Sequence, residues 1–121
     1  MIELTYCMHR LSQLTHQEFL EYWHERHAPL MRRHRDILRV RRYVQLSAAQ
    51  TELNRRVAQF RGGPPAFDGI AEVWYDSWEA FSAAASDPAA QGALRELLED
   101  ERRFIDLSRS PVWINKIHEI F

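Results

Sequence analysis

Apolar and polar residues alternate with a period of two at the start of the chain, which predicts a β-strand over Ile2–Met8. Similar patterns predict strands over Leu38–Leu46, Ile70–Tyr75 and Val112–Ile120. All four stretches carry apolar residues on both faces, whereas a strand with one face in water shows a cleaner polar stripe. We therefore expect both faces of the resulting sheet to be covered.

Helices are predicted between the strands by their capping residues. Thr15-His16-Gln17-Glu18 has the form of a capping box, so a helix should run from about Thr15 to the low thirties. Ser77 can cap a short helix after the third strand. Asp87-Pro88 supplies a cap and a first-turn proline for a longer helix that ends near Phe104 or Ile105.

A long insert separates the second strand from the third. Ser47–Gly69 begins polar and can start as a helix, then breaks at Gly62-Gly63-Pro64-Pro65, which is a loop signal. The order β-α-β-(insert)-β-α-α-β is that of the ferredoxin-like α+β fold, a four-stranded antiparallel sheet with helices on one face. The most economical cover for the other face is the sheet of a second subunit. We expect a homodimer, in which two sheets form a dimeric α+β barrel.

Composition narrows the classes of partner. The 121 residues suit one domain, 1–121, and 16 Lys and Arg against 17 Asp and Glu provide no basic field for nucleic acid or for a membrane surface. Cys7 is the only cysteine, the first residues lack a signal-peptide pattern, and no apolar run is long enough to cross a bilayer. We expect a cytoplasmic protein that binds a small-molecule substrate, with no nucleic-acid or membrane partner.

The segment Tyr22–Met31 concentrates residues that can carry chemistry. His24 and His27 are three apart, one short of the HExxH spacing of zinc proteases, so no metal site is expected from this motif. At about 100° per residue, His27 falls on the apolar stripe of the helix and points to the sheet. Pro29 should kink or disturb the helix here, because it lacks a backbone donor and clashes with the preceding turn. His27 then fits either a core histidine bonded to a freed carbonyl or a general acid or base in a cleft.

Tyr43 shares a strand face with Arg41. If that face looks toward the helices, a phenol and a guanidinium converge on His27, which suits an oxygenated, anionic or enolisable substrate. If it does not, Tyr43 is an ordinary strand aromatic and the arginines are solvated. Glu72 and Trp74 share a face of the third strand and are further candidates for the cleft, although an edge salt bridge explains Glu72 equally well.

The remaining candidates are weighed in the same way. Trp23 is most simply a core aromatic, and it joins Arg41, Glu72 and Trp74 as the candidate substrate-binding set beside the candidate catalytic pair His27 and Tyr43. Asp100-Glu101-Arg102-Arg103 is interpreted as the solvated side of a helix.

Four stretches resemble the EthD-like family. Phe19–Leu30 resembles its F-x-x-x-W-x-x-x-H-A-P-L signature, and Arg42-Tyr43-Val44-Gln45 resembles the R-Y-V-Q that follows. Asp68–Ser77 resembles D-G-x-A-E-x-W-F, and Asp100–Asp106 resembles D-E-x-x-F-I-D. The resemblance spans nearly the whole chain and implies a dimeric α+β barrel.

The biochemistry that this resemblance implies is mixed. Some members are accessory proteins in ether or aromatic degradation, and others resemble cofactor-free enzymes that isomerise, dehydrate, cyclise or decarboxylate polyketide-derived, aromatic or lactone compounds. In a relative, methylmuconolactone methylisomerase, a helix histidine and a strand tyrosine act at the lactone, and His27 and Tyr43 match those positions. The favoured hypothesis is a cofactor-independent lyase or isomerase. The alternatives are a non-catalytic binding protein and a haem-linked role with His24, His27 or His34 as axial ligand.

Overall fold

The computed structural model describes all 121 residues of the chain. The strands are β1 (Ile2–Met8), β2 (Arg42–Leu46), β3 (Gly69–Tyr75) and β4 (Val112–Asn115). The helices are α1 (His16–Tyr22), α2 (Ala28–Arg33), α3 (Glu52–Arg61), α4 (Trp78–Ser86) and α5 (Pro88–Glu101). A π-helical turn, Trp23–His27, joins α1 to α2, and a 3-10 turn, Leu107–Arg109, precedes β4. No helix is long and apolar enough to span a membrane.

The four strands form one antiparallel sheet in the order β2-β3-β1-β4. Leu4 lies opposite both Val73 and Ile114, and Tyr43 lies opposite Val73, so these residues share one face. The helices cover this inner face, and the buried core lies between the two layers. The predicted ferredoxin-like α+β architecture is confirmed.

The long first helical segment starts and changes character where the sequence predicts. The Thr15 hydroxyl accepts a hydrogen bond from the Glu18 backbone at 3.1 Å, and the Glu18 carboxylate accepts one from the Thr15 backbone at 2.9 Å, which completes the capping box. The predicted disturbance ahead of Pro29 takes the form of the π-helical turn, in which the Ala28 N–H bonds to the Trp23 carbonyl. Such turns insert one extra residue and reorient the side chains that follow.

Two predicted strands are shorter in the structure. β2 begins at Arg42 and not at Leu38, because Arg39 adopts a left-handed conformation with φ 59° and the Val40 N–H bonds back to the Arg35 carbonyl at 3.0 Å. β4 ends at Asn115 and not at Ile120. Asn115 pairs with the second residue of β1, so a longer β4 would have almost no partner strand left.

The insert forms the predicted helix and loop. The Thr51 hydroxyl caps α3, and Gly62 ends it in the left-handed conformation with φ 64°, which costs glycine nothing. Leu53, Val57 and Phe60 lie along α3 and remain exposed. This helix therefore adds nothing to the buried core, which is built from the sheet and the other helices.

Candidate active site

His27 is buried at the end of the π-helical turn, with only 5% of its surface exposed. Its Nδ1 lies 2.9 Å from Oδ2 of Asp100, near the end of α5. The Tyr22 hydroxyl donates to the other oxygen of Asp100 at 2.6 Å, and Arg103 donates to the same atom at 3.1 Å. The carboxylate thus has three side-chain donors, which together fix both its position and the plane of the imidazole.

The protonation states of this pair follow from its surroundings. Burial by itself raises the pKa of Asp100, but the hydrogen bonds from Tyr22 and His27 outweigh it, so the pKa falls below its usual value. Burial also lowers the pKa of His27, and the nearby Asp100 carboxylate only partly offsets this. At neutral pH the imidazole is therefore neutral, with its proton on Nδ1 facing an ionised Asp100. Nε2 makes no hydrogen bond to the protein and keeps a free lone pair.

Tyr43 is held by two donors on the inner face of the sheet. Its hydroxyl oxygen accepts hydrogen bonds from Trp23 Nε1 at 3.2 Å and from Gln45 Nε2 at 3.0 Å. Both interactions occupy the oxygen and leave its own proton free to be donated. Burial raises the pKa of Tyr43, so the hydroxyl stays protonated through the neutral range. Tyr43 is therefore a fixed hydrogen-bond donor.

The position of Trp23 depends on a glycine of β3. A Cβ built on Gly69 would lie 2.6 Å from the Trp23 ring, closer than any real contact, so only glycine allows the indole to pack there. The preceding Asp68 accepts hydrogen bonds at 2.9 Å from both the Arg10 backbone and the His16 ring. The Asp68-Gly69 pair of the D-G stretch thus joins the end of β1 to α1 and makes room for the aromatic that holds Tyr43.

A cavity of about 290 Å³ lies between the sheet and the helices, and both His27 and Tyr43 line it. Of its 18 lining residues 16 are hydrophobic, and the other two are His27 and Glu101. A mostly apolar cavity with a few convergent polar groups is the usual form of a small-molecule site. The cavity is of a size to hold a small ring compound.

Glu101 is a functional candidate that the sequence interpretation missed. Burial and the neighbouring charge of Asp100 raise the pKa of Glu101 to about 7, although Tyr6 beside it acts in the opposite direction. The adjacent carboxyls therefore differ at neutral pH, with Asp100 ionised and Glu101 partly protonated. The interpretation of Asp100-Glu101 as the solvated side of a helix was wrong. Helical periodicity carries the signal, because the buried stripe through Ala93 and Leu97 continues onto these two residues.

The structure brings together only part of the predicted site. Trp23, His27 and Tyr43 meet at the cavity, whereas Arg41 is exposed in a neighbouring cleft. Glu72 lies opposite Thr5 and Val44, and with Trp74 it faces the outer side of the sheet, away from the cavity. The structure therefore separates these two residues from His27 and Tyr43.

The other candidate histidines have partners of their own. His24 bonds to Gln45, and His34 Nε2 lies 2.8 Å from Glu96. Neither lines the cavity, so the three histidines weighed as haem ligands do not converge. No group of three or more His, Cys, Asp or Glu side chains is arranged to hold a metal ion.

The fold and site together define a ferredoxin-like α+β protein with an apolar cavity. The cavity is lined by a buried histidine, His27, that is hydrogen-bonded to Asp100. Residues 11–108 match the EthD domain, and the chain belongs to this family. The resemblance inferred from the four sequence stretches is confirmed at the level of the family.

Solved structures with the same fold agree with this assignment. An EthD family protein from Bacillus halodurans is 19% identical with a TM-score of 0.63, over 98% of this chain and 99% of that one. An EthD-like protein from Ralstonia eutropha is 20% identical with a TM-score of 0.57, over 99% and 95%. A dimeric ferredoxin-like protein of unknown function from Bacteroides fragilis is 7% identical with a TM-score of 0.59, over 96% and 95%. A comparison with curated proteins found no match.

Proposed function

We propose that the protein is a cofactor-independent lyase or isomerase that acts on a small cyclic substrate such as a lactone or a polyketide-derived ring. One observation carries the proposal: the buried His27 imidazole, held through Nδ1 by Asp100 at 2.9 Å, lines the same apolar cavity as Tyr43. A base and a hydrogen-bond donor at one cavity form the minimal equipment for enolisation. The proposed role of His27 and Tyr43 is the one implied by the resemblance to methylmuconolactone methylisomerase.

The proposed chemistry assigns each polar group one task. His27 Nε2 removes a proton from carbon beside a carbonyl, and the electron pair moves onto the carbonyl oxygen, which the Tyr43 hydroxyl stabilises by donating a hydrogen bond. Return of a proton at another carbon gives an isomer, and departure of a β-leaving group gives a lyase product. Glu101, with a pKa of about 7, is suited to deliver or accept the second proton.

Turnover of a model substrate in heavy water tests this proposal. α-Angelica lactone is a suitable probe, since it isomerises by loss of one proton and gain of another. We expect the protein to accelerate both isomerisation and deuterium uptake, measured by mass spectrometry. His27→Gln should lower the rate by about 10²–10⁴-fold, the usual contribution of one general base.

Two further variants complete this experiment. Tyr43→Phe should reduce the rate, because it removes the proposed hydrogen-bond donor. The substitution also removes the acceptor of Trp23 Nε1 and Gln45 Nε2, so circular dichroism should verify that the variant is folded. His118→Gln is the matched control, since His118 is exposed near the C-terminus and should leave the rate unchanged. Equal rates in wild type and His27→Gln would reject the assigned base.

A second candidate function is a non-catalytic protein that binds an aromatic metabolite in a degradation pathway. The almost entirely apolar lining of the cavity favours it. Mass spectrometry separates the two functions, because a binding protein returns the bound compound unaltered and without deuterium.

The proposed assembly is a homodimer formed through the outer face of the sheet. The apolar Val44, Ile70 and Trp74 lie on this face, and no helix of the chain covers it. The protein of the same fold from Bacteroides fragilis is described as dimeric. A shared barrel would bury on the order of 2,000 Å² or more, the range of obligate dimers.

A further inference from the structure

A second cleft adjoins the cavity, and its lining is rich in arginine where the lining of the cavity is apolar. This cleft of about 200 Å³ lies between α2 and the start of β2. Four of the eight residues that line it are arginines, namely Arg32, Arg35, Arg41 and Arg42. The chain as a whole has a formal net charge of −1, so this concentration of positive charge is local.

The arginines of the cleft are poorly neutralised by the protein. No aspartate or glutamate lines the cleft, and the one carboxylate close to any of the four is Asp76, 3.8 Å from Arg41 Nε. Arg32 makes neither an ion pair nor a side-chain hydrogen bond. The Arg42 guanidinium lies 5.9 Å from the centre of the Trp74 ring, which faces the outer side of the sheet, so the free positive charge of the cleft comes from Arg32, Arg35 and Arg41. A group of guanidiniums without matching carboxylates attracts an anion.

One guanidinium is already fixed in place. Arg35 donates from Nε to the Val40 carbonyl at 3.4 Å and from Nη2 to the Arg41 carbonyl at 3.3 Å. These contacts follow from the turn that shortens β2, in which Arg39 is left-handed. A guanidinium held by backbone carbonyls loses less freedom when an anion binds, so the turn preorganises the cleft.

The cleft and the cavity share Met31, Val40 and Tyr43 in their walls. A ligand can therefore place an apolar body in the cavity and an acidic group at the arginines, with Tyr43 between the two. We propose that the cleft is the carboxylate subsite for the substrate, and that the substrate class is a small cyclic carboxylic acid. The inference rests on the proposed function only in taking the cavity as the place where substrate binds.

An ordinary structural role accounts for part of this charge. Arg32 and Arg33 stand in the last turn of α2, where positive side chains interact favourably with the helix dipole. Arg33, however, forms an ion pair with Glu96 and does not line the cleft, so it can stabilise the helix end without contributing to the proposed subsite. The two neighbours therefore form a matched pair that separates the proposed subsite from the general effect of charge.

Isothermal titration with two probes of the same ring system tests the subsite. The probes are 1-naphthoate and the neutral 1-naphthylmethanol. We expect wild type to bind the carboxylate about tenfold tighter or more, as charge-assisted bonds to guanidinium imply. In Arg32→Gln this preference should fall, and in Arg32→Gln/Arg41→Gln it should reach about twofold or less, while the single variant Arg33→Gln keeps it.

Each remaining outcome decides against the subsite. Equal affinity for the two probes in wild type would overturn it, as would loss of the preference in Arg33→Gln to the same extent. Failure of both probes to bind would show that the cavity does not take a ring. The titration requires no turnover, so a protein that prefers naphthoate but leaves α-angelica lactone unchanged would fail only as the proposed enzyme.

Discussion

The two faces of the sheet are both apolar, yet they differ in what covers them. The inner face, with Leu4, Val73 and Tyr43, packs against the helices of the same chain and encloses the cavity. The outer face has no such layer, and Leu46 and Trp113 on this side remain 44% and 45% exposed. An alternating or apolar strand pattern thus identifies an apolar face, but it does not identify what covers that face.

Most polar groups on both faces have partners. On the inner face, the Tyr43 oxygen accepts two hydrogen bonds, and on the outer face Asn115 donates to Glu3 at 2.8 Å and to Thr5 at 2.7 Å. On the outer face, Trp74 Nε1 is buried without any hydrogen-bond partner. Unpartnered buried donors are rare in native proteins. The Trp74 donor is therefore the exception on the outer face, the face that we propose as the interface with a second subunit.

A charge on the inner face should have the largest effect. Val73 is buried in the core, and Val73→Asp would leave a carboxylate unpaired among apolar side chains. We expect a loss of more than about 4 kcal/mol in the free energy of unfolding, enough to unfold a small domain. Urea unfolding followed by circular dichroism measures it. A variant as stable as wild type would show that Val73 does not belong to the core.

The same charge one residue further along the strand should act on assembly. Trp74→Asp places a carboxylate in the proposed interface, where tryptophans often contribute most of the binding energy. We expect the dimer to weaken by at least about 2 kcal/mol, or roughly 30-fold in its dissociation constant. Light scattering over a dilution series measures the molar mass of the particle, and Trp78→Asp on α4 is the control variant that should stay dimeric. A wild-type protein that is a stable monomer at micromolar concentration would contradict the shared-barrel dimer.

The pKa of Glu101 tests whether the cavity at the inner face is shielded from solvent. The unfolded chain loses the Glu101 proton near its ordinary pKa of 4.5, whereas the folded protein keeps it to about pH 7, so stability falls as the pH rises between these values. Glu101→Gln should remove this fall and be more stable than wild type at pH 8 by on the order of 1–3 kcal/mol. Urea unfolding at several pH values measures it. Parallel pH profiles of variant and wild type would indicate a solvated carboxyl.

Gly69 provides the most local test. Gly69→Ala would place a methyl group 2.6 Å from the Trp23 ring, and overpacking of this kind costs about 1–3 kcal/mol. Gly63→Ala is the matched control, because nothing lies within 4 Å of its added Cβ. Thermal unfolding of both variants should show a lower midpoint only for Gly69→Ala. Equal midpoints would mean that the indole does not depend on this glycine.

Local signals in the sequence predicted most of the fold, since a cap or an alternating stretch depends on neighbours in the chain. The capping box at Thr15 and the Asp87-Pro88 start of α5 are examples. The predicted ends of β2 and β4 were wrong because they depend on distant residues. The turn at Arg39 delays the start of β2, and β4 ends at Asn115 because β1 offers almost no further residue to pair with.

The site was predictable to a lesser degree. Periodicity placed His27 on the inward side of its helix, but it could not tell which face of the sheet looks at the helices, so Tyr43 and Glu72 were both predicted at the site. The structure puts the first at the cavity and the second on the far side. Asp100 and Glu101 were misassigned because their charge was given more weight than their place on the buried stripe of α5.

The protonation of His27 is the most direct test of the proposed mechanism, in which a neutral imidazole oriented by Asp100 presents its free Nε2 to the cavity. Long-range ¹H–¹⁵N NMR of labelled histidine separates the two neutral tautomers from the cation, and His27→Gln identifies the His27 signal among the six histidines. Because burial lowers the pKa of His27, we predict a neutral ring at pH 7 with its proton on Nδ1 and a pKa below the ordinary 6.5. A ring that is cationic at pH 7, or that carries its proton on Nε2, would contradict this mechanism.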